Sequence, residues 1–153
     1  MTDAQLYLAI NALVLPAWAL LVFVPGARAT RLLVHSGLYP IVFGFIYIAF
    51  ISRALVFGEG AEDSGFGSLE AVMRVFDTPA GLLTGWTHYL VFDLFVGAWI
   101  GRDAIARGVS HFIRVPGQLG SFILGPIGLL VYLLGRWATG KGGFLLDAGQ
   151  KPS

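Results

Sequence analysis

Apolar residues along this chain come in long, nearly unbroken runs separated by short polar stretches, not in the alternation of strands or the one-sided stripes of soluble helices. Four runs reach the roughly 20 helical residues needed to cross a hydrocarbon core: about Leu6–Val24, Leu38–Phe57, Leu82–Gly101 and Val115–Trp137. Backbone groups in lipid must bond within their own segment, so such runs predict helices; a closed barrel needs many short alternating segments, and none are present. Between the second and third runs, the Gly-rich polar stretch Gly58–Gly67 leads into Ser68-Leu-Glu-Ala-Val-Met-Arg-Val-Phe76. There Leu69, Val72, Met73 and Phe76 recur at helical spacing behind a good N-cap, Ser68, which predicts a short amphipathic helix lying at the interface or folded back over the bundle. The expected fold is all-α. It is a polytopic membrane protein, one domain over 1–153, with a four-transmembrane-helix bundle, the short amphipathic helix between spans two and three, and a tail over 138–153.

Composition supports this picture. Hydrophobic residues make up 56% of the 153 and charged ones 12%, with a mean hydropathy of +0.76, a balance suited to lipid as solvent. The formal charge of +1 and the scattered arginines do not make a basic face, so no nucleic-acid partner is expected. The absence of cysteine excludes disulfides, thiolate metal sites and cysteine nucleophiles. No basic residue precedes the first apolar run, unlike a signal peptide, so that run is expected to be retained as a span. Arg28, Arg31, Arg102, Arg107 and Arg114 crowd into two short loops, whereas Arg53, Arg74, Arg136, Lys141 and Lys151 are spread out, which favours a cytoplasmic side for the first set.

Apolar burial hardly drives helices together in lipid, so small residues at contacts matter more. Gly117, Ser121, Gly125 and Gly128 share one face of the fourth run, with Tyr132 a turn further, and Gly97 and Gly101 repeat the spacing in the third. A close contact between spans three and four is expected. Pro16 and Pro126 deprive the carbonyls of Ala12 and Phe122 of their helical donors, which predicts kinks in spans one and four.

Polar residues inside the apolar runs are the candidates for function. Asp93 sits mid-run, where insertion costs about 2.5–3.5 kcal/mol unless a polar partner, a cavity or a task answers it. At about 100° per residue it lies about 20° from Trp86 and shares a face with Leu90, Gly97 and Ile100. His88 lies about 140° round, among Phe92, Phe95, Trp99 and Arg102, out of reach of Asp93 on a regular helix. Each has two readings: Asp93 as a hydrogen-bonded pin between helices or a desolvated acid, His88 as a satisfied interfacial group or an acid–base group working near neutral pH. Asn11 and Arg53 are the expected partners of Asp93, and Asp103 beside Arg102 reads as a solvated ion pair at the membrane edge. His35, His88 and His111 fall on separate elements with no paired-ligand spacing, so no metal site is expected. The only lysines, Lys141 and Lys151, lie in the tail, which excludes a retinal Schiff base within a span. No cofactor is identified, and the oligomeric state is open.

Three motifs, Asn11-Ala-Leu-Val-Leu-Pro16-Ala-Trp18 with Pro25 and Thr30, Gly85-Trp86-Thr-His88-Tyr-Leu-Val-Phe-Asp93-Leu-Phe95 with Asp103, and Gly125-Pro126-Ile-Gly128-Leu-Leu-Val-Tyr132, run in order over nearly the whole chain. Together the chain resembles the abscisic-acid-deficient-four family, plant plastid membrane proteins required for neoxanthin synthesis, which also has bacterial relatives. The resemblance implies four membrane helices and a carotenoid-related role. Neoxanthin forms from violaxanthin without net oxidation: an epoxide opens while a proton leaves the polyene to give an allene, which asks for an acid at oxygen and a base near the chain. On that basis His88 and Asp93 are the catalytic candidates of an isomerase-type enzyme, and Asn11, Trp86, Phe92, Phe95, Trp99 and Asp103 the substrate-binding ones. Membrane lipid and a carotenoid or other isoprenoid are the expected partners. The alternatives are a non-catalytic pigment-binding or assembly subunit, using aromatic grooves through Phe43, Tyr47, Phe92, Phe95 and Trp99, and a small structural membrane protein. The missing transit peptide suits a bacterial inner, cytoplasmic membrane, and the stretch from Arg107 to Arg114 departs from the plant pattern.

Overall fold

A computed structural model of the chain describes residues 1–146; Lys151 and the end of the expected tail lie outside the described residues. Regular structure among them is entirely helical: α1 (Asp3–Phe23), α2 (Arg28–Leu33), α3 (Leu38–Leu55), α4 (Leu69–Phe76), α5 (Pro79–Arg107), α6 (His111–Leu124) and α7 (Pro126–Ala138). Two segments, α1 and Arg28–Leu55, are long and apolar enough to cross a membrane by length and composition; the second includes α2 and the turn after it, and its apolar run is α3. Only 11% of the second segment's most apolar stretch is buried, so it is not a core helix wrapped in protein. At 29 residues α5 extends about 43 Å, beyond the roughly 30 Å of a hydrocarbon core, though its Thr, His and Asp residues make it less apolar.

The chain divides into two compact units, Met1–Val14 with Leu38–Val91, and Leu15–Gly37 with the described chain from Phe92 onward. In the first unit, Ile10, Val14, Phe43, Phe50, Ala80, Leu83 and Leu90 are buried apolar positions. The Ser68 Oγ accepts a hydrogen bond from the Ala71 amide at 3.2 Å, the N-cap that its place before Leu69 predicts. At the other end of α4 the Phe76 ring lies over Gly85, where an added Cβ would come within 2.4 Å of it. The amphipathic helix is therefore folded back onto α5, with the missing side chain at Gly85 making room.

The second unit corrects the fourth span. The continuous helix expected over Val115–Trp137 is instead α6 and α7, which reverse direction at Gly125 and pack antiparallel. Gly125 has φ 58° and ψ −113°, a conformation open to glycine and strained for other residues, and Pro126 begins α7 at N1, where its missing N–H is no loss. With 14 and 13 residues, α6 and α7 reach about 20 Å each, so neither crosses a hydrocarbon core alone. The small-residue stripe closes this hairpin: a Cβ on Gly128 would meet the Ser121 nitrogen at 1.9 Å and the Gly117 oxygen at 2.4 Å. Pro16, in contrast, stays within the continuous α1.

Buried polar groups tie α6 to the rest of the second unit. Arg114, only 6% exposed, donates to the carbonyls of Leu21 at 2.8 Å and Val22 at 3.2 Å, which belong to the last turn of α1 and have no helical donor. One turn on, Gln118 donates from Nε2 to the Gly97 carbonyl at 3.2 Å, realising the expected close approach of the third run to the fourth. Trp18 fills the space left by Gly97, where a Cβ would sit 2.4 Å from its ring.

Candidate functional site

The predicted site residues fall into two groups. In the first unit, the Trp86 indole donates to Asn11 Oδ1 at 3.2 Å, and Asn11 Nδ2 donates to the Tyr7 carbonyl at 2.7 Å. Trp86 also stacks on Tyr89 with centroids 5.1 Å apart. Asn11 is thus a latch for an aromatic cluster. Arg53 is held by Asp3 at 2.8 Å and by Glu59. Both side chains expected beside Asp93 are therefore occupied within the first unit. His88 is exposed on the outward face of α5, its ring 6.3 Å from Tyr47, as its position on the helix wheel requires.

The second unit gathers Phe95, Trp99 and Asp103. Phe95, Val96, Trp99, Leu129 and Leu146 line an apolar groove of about 160 Å³. Phe92 is 56% exposed on the same helix, and Asp93 is half-buried. The groove's key side chain is Trp99: its Nε1–H donates to the Leu146 carbonyl at 2.9 Å, and its ring meets Tyr132 edge-on at 5.8 Å. Behind Trp99 lies a polar cluster that sequence reasoning did not assemble.

Asp103 is the centre of that cluster and overturns the expectation of a solvated pair with Arg102. It is 3% exposed, accepting from Arg107 Nε at 2.7 Å on Oδ1, and from the Tyr132 hydroxyl and Arg136 Nη1, each at 2.6 Å, on Oδ2. Arg102 turns instead to His35. Arg136 is fully buried, donates to the carbonyls of Gly143 and Leu145, and has the rings of Trp99 and Tyr132 each 5.8 Å from its guanidinium carbon. Asp103 lies beyond the apolar run that ends at Gly101. Burial there pushes its carboxyl up, but the hydrogen bonds from Tyr132, Arg107 and Arg136, with the Arg136 charge, outweigh this and hold it below the usual carboxylate range. A carboxylate so stabilised is a weak base. Its chemistry is to anchor, fixing Tyr132 and Arg136 and through them the Trp99 wall and the chain that follows α7.

Two spacings carry a signal for this cluster: Asp103 and Arg107 stand four apart, as do Tyr132 and Arg136, so each pair shares a helix face. Among the described residues, no three His, Asp or Glu side chains come together as a metal would need. A family model described as ABA DEFICIENT 4-like matches residues 5–132. No curated protein and no solved structure matches the chain significantly. With a match running from the start of α1 through the Tyr132 of the buried cluster, the chain belongs to the ABA DEFICIENT 4-like family.

Proposed function

We propose that this protein is a membrane enzyme of isomerase type that acts on a carotenoid or related isoprenoid, with Asp93 as its proton-transfer group, in a bacterial cytoplasmic membrane. The family match links the chain to the membrane and to carotenoid metabolism. The observation that carries the finer reading is Asp93 itself, a half-buried carboxyl placed within the apolar part of α5, where an acid that keeps or exchanges its proton is less costly than a charged one. Opening an epoxide on a polyene balances on one such group. The acid gives its proton to the oxygen as the C–O bond breaks and that electron pair goes to oxygen, leaving a cation delocalised along the polyene. The resulting carboxylate then takes a proton from the adjacent carbon, and the C–H electrons become the new double bond. No oxidant, reductant or net proton is consumed. His88, on the outward face beside Tyr47, serves as the second acid–base candidate, and Asn11, Trp86 and Phe92 as substrate-binding ones.

A second reading is a non-catalytic pigment-binding subunit. The groove of Phe95, Val96, Trp99, Leu129 and Leu146 supports it, because a wholly apolar lining suits a polyene and offers it no reactive group. The test is co-expression with carotenoid-producing enzymes in a bacterium, followed by pigment extraction, for the wild type and Asp93→Asn. The isomerase reading expects a new carotenoid with the wild type and its loss with Asp93→Asn at equal membrane levels. Conversion retained by that variant removes Asp93 from the mechanism, and unchanged pigments that co-purify with the wild type favour the second reading.

A further inference from the structure

After α1 the chain passes through Pro25 and Gly26 into α2, and here the second unit holds an open pocket of about 500 Å³. Its polar lining is Arg31, His35 and Arg102; its apolar lining includes Pro25, Ile105 and Ala106. Among the described residues, no carboxylate pairs with Arg31 or Arg102. The unit's described part carries seven cationic side chains against two carboxylates, Asp93 and Asp103, and Asp103 is taken up by Arg107 and Arg136. The residues that line the pocket thus carry two guanidinium charges and, among the described residues, no carboxylate.

His35 organises the pocket. Its Nε2 lies 3.3 Å from the Pro25 carbonyl, a hydrogen bond that needs the proton on Nε2 and leaves Nδ1 as an acceptor. Arg102 donates to that Nδ1 from Nη1 at 3.4 Å. Burial lowers the His35 pKa, outweighing the Pro25 bond, and the Arg102 charge lowers it further, so the ring stays neutral and can accept from a guanidinium. His35 is thus a positioning residue for Arg102.

We infer that this pocket binds the phosphate headgroup of an anionic membrane lipid, with Arg31 and Arg102 as the two cations that contact it. A free phosphate would find the same charges, but the surroundings favour a lipid. Ile105 within the pocket is 55% exposed, and Leu32 and Phe23 nearby in sequence are 60% and 79% exposed, apolar surface that acyl chains would cover. The pocket also joins residues just past the apolar runs ending at Val24 and Gly101, the depth at which headgroups lie. The inference rests on the chain's being a membrane protein and is independent of the isomerase reading.

The test uses full-length protein in an uncharged detergent and native mass spectrometry during titration with phosphatidylglycerol or phosphatidylcholine. The expected result is preferential retention of phosphatidylglycerol, weakened about fivefold by Arg31→Gln and again by Arg102→Gln. Arg28→Gln removes the same charge from the same helix outside the pocket lining, and is expected to do much less. Arg31 is exposed, so its replacement leaves the fold intact, which thermal unfolding checks. Equal retention of the two lipids, an Arg28→Gln effect as large as that of Arg31→Gln, or displacement of the lipid by millimolar inorganic phosphate would each overturn the lipid assignment. Failure of the membrane premise is distinct: the protein would then stay monodisperse in buffer without detergent.

Discussion

Replacing Asp103 by Asn leaves the side chain's shape almost unchanged but removes the charge on which Arg107, Tyr132 and Arg136 converge. Arg136 is fully buried, and its Nη1 lies 2.6 Å from Oδ2, so the variant strands a guanidinium in a site with no counter-charge. The new amide nitrogen also presents donors to donors. Removing one member of a buried ion pair costs about 3–5 kcal/mol, and for a chain of this size each kcal/mol shifts Tm by about 2–4 °C. A fall of about 6–20 °C is expected in a melt followed by tryptophan fluorescence in detergent, because Trp99 stands against the cluster. The double variant Asp103→Leu with Arg136→Met removes both buried charges and should recover part of the loss. A single-variant shift under about 3 °C, or a double variant worse than the sum of its parts, would refute the view that this carboxylate holds the second unit together.

Further outcomes follow from the same geometry. Because the Asp103 pKa is lowered on folding, its contribution is fully present above about pH 4 and lost as the pH falls through the folded value; Asp103→Asn should flatten the acid limb of a Tm-against-pH curve. The His35 pKa is also lowered, so the folded state favours the neutral ring, and stability should decline as the pH falls below about 6.5, a decline absent in His35→Gln. Gly128→Ala sets a methyl group against backbone atoms at 1.9 and 2.4 Å, so a loss at or above the usual 1–3 kcal/mol of overpacking is expected in the same melts, while Gly44→Ala, with open space around it, should be nearly silent. On the pigment-binding reading, Trp99→Leu, which removes the bond to the Leu146 carbonyl and one wall of the groove, should reduce pigment retained on purification, measured by absorbance per protein.

The amino-acid pattern made much of this structure legible. The apolar runs over 6–24, 38–57 and 82–101 are the cores of α1, α3 and α5, and the ends shift by a few residues because helices continue through polar residues, as α5 does from Gly101 to Arg107. Ser68 marked the start of α4 because a cap is a local interaction. The fourth run misled for a physical reason: Gly125-Pro126 reads either as a kink in one long helix or as a stop and restart, and length alone favours the kink. The deciding contact, Gly128 against Ser121 and Gly117, appears only once the chain has folded back. Asp103 was misread similarly. Its neighbour Arg102 is one residue away and so points elsewhere, whereas Tyr132 and Arg136 reach it across 29 and 33 residues. The six-residue α2 carries too short a pattern to announce itself.

An isomerase of the kind proposed rearranges an oxygenated polyene without changing its composition. The direct measurement is incubation of purified protein with an epoxy-carotenoid in detergent micelles, with no cofactor added, followed by chromatography and mass spectrometry. The expected product has the same mass and altered absorption, and is formed by the wild type and not by Asp93→Asn. A product of different mass, or a substrate recovered unchanged from folded protein, would contradict the isomerase reading.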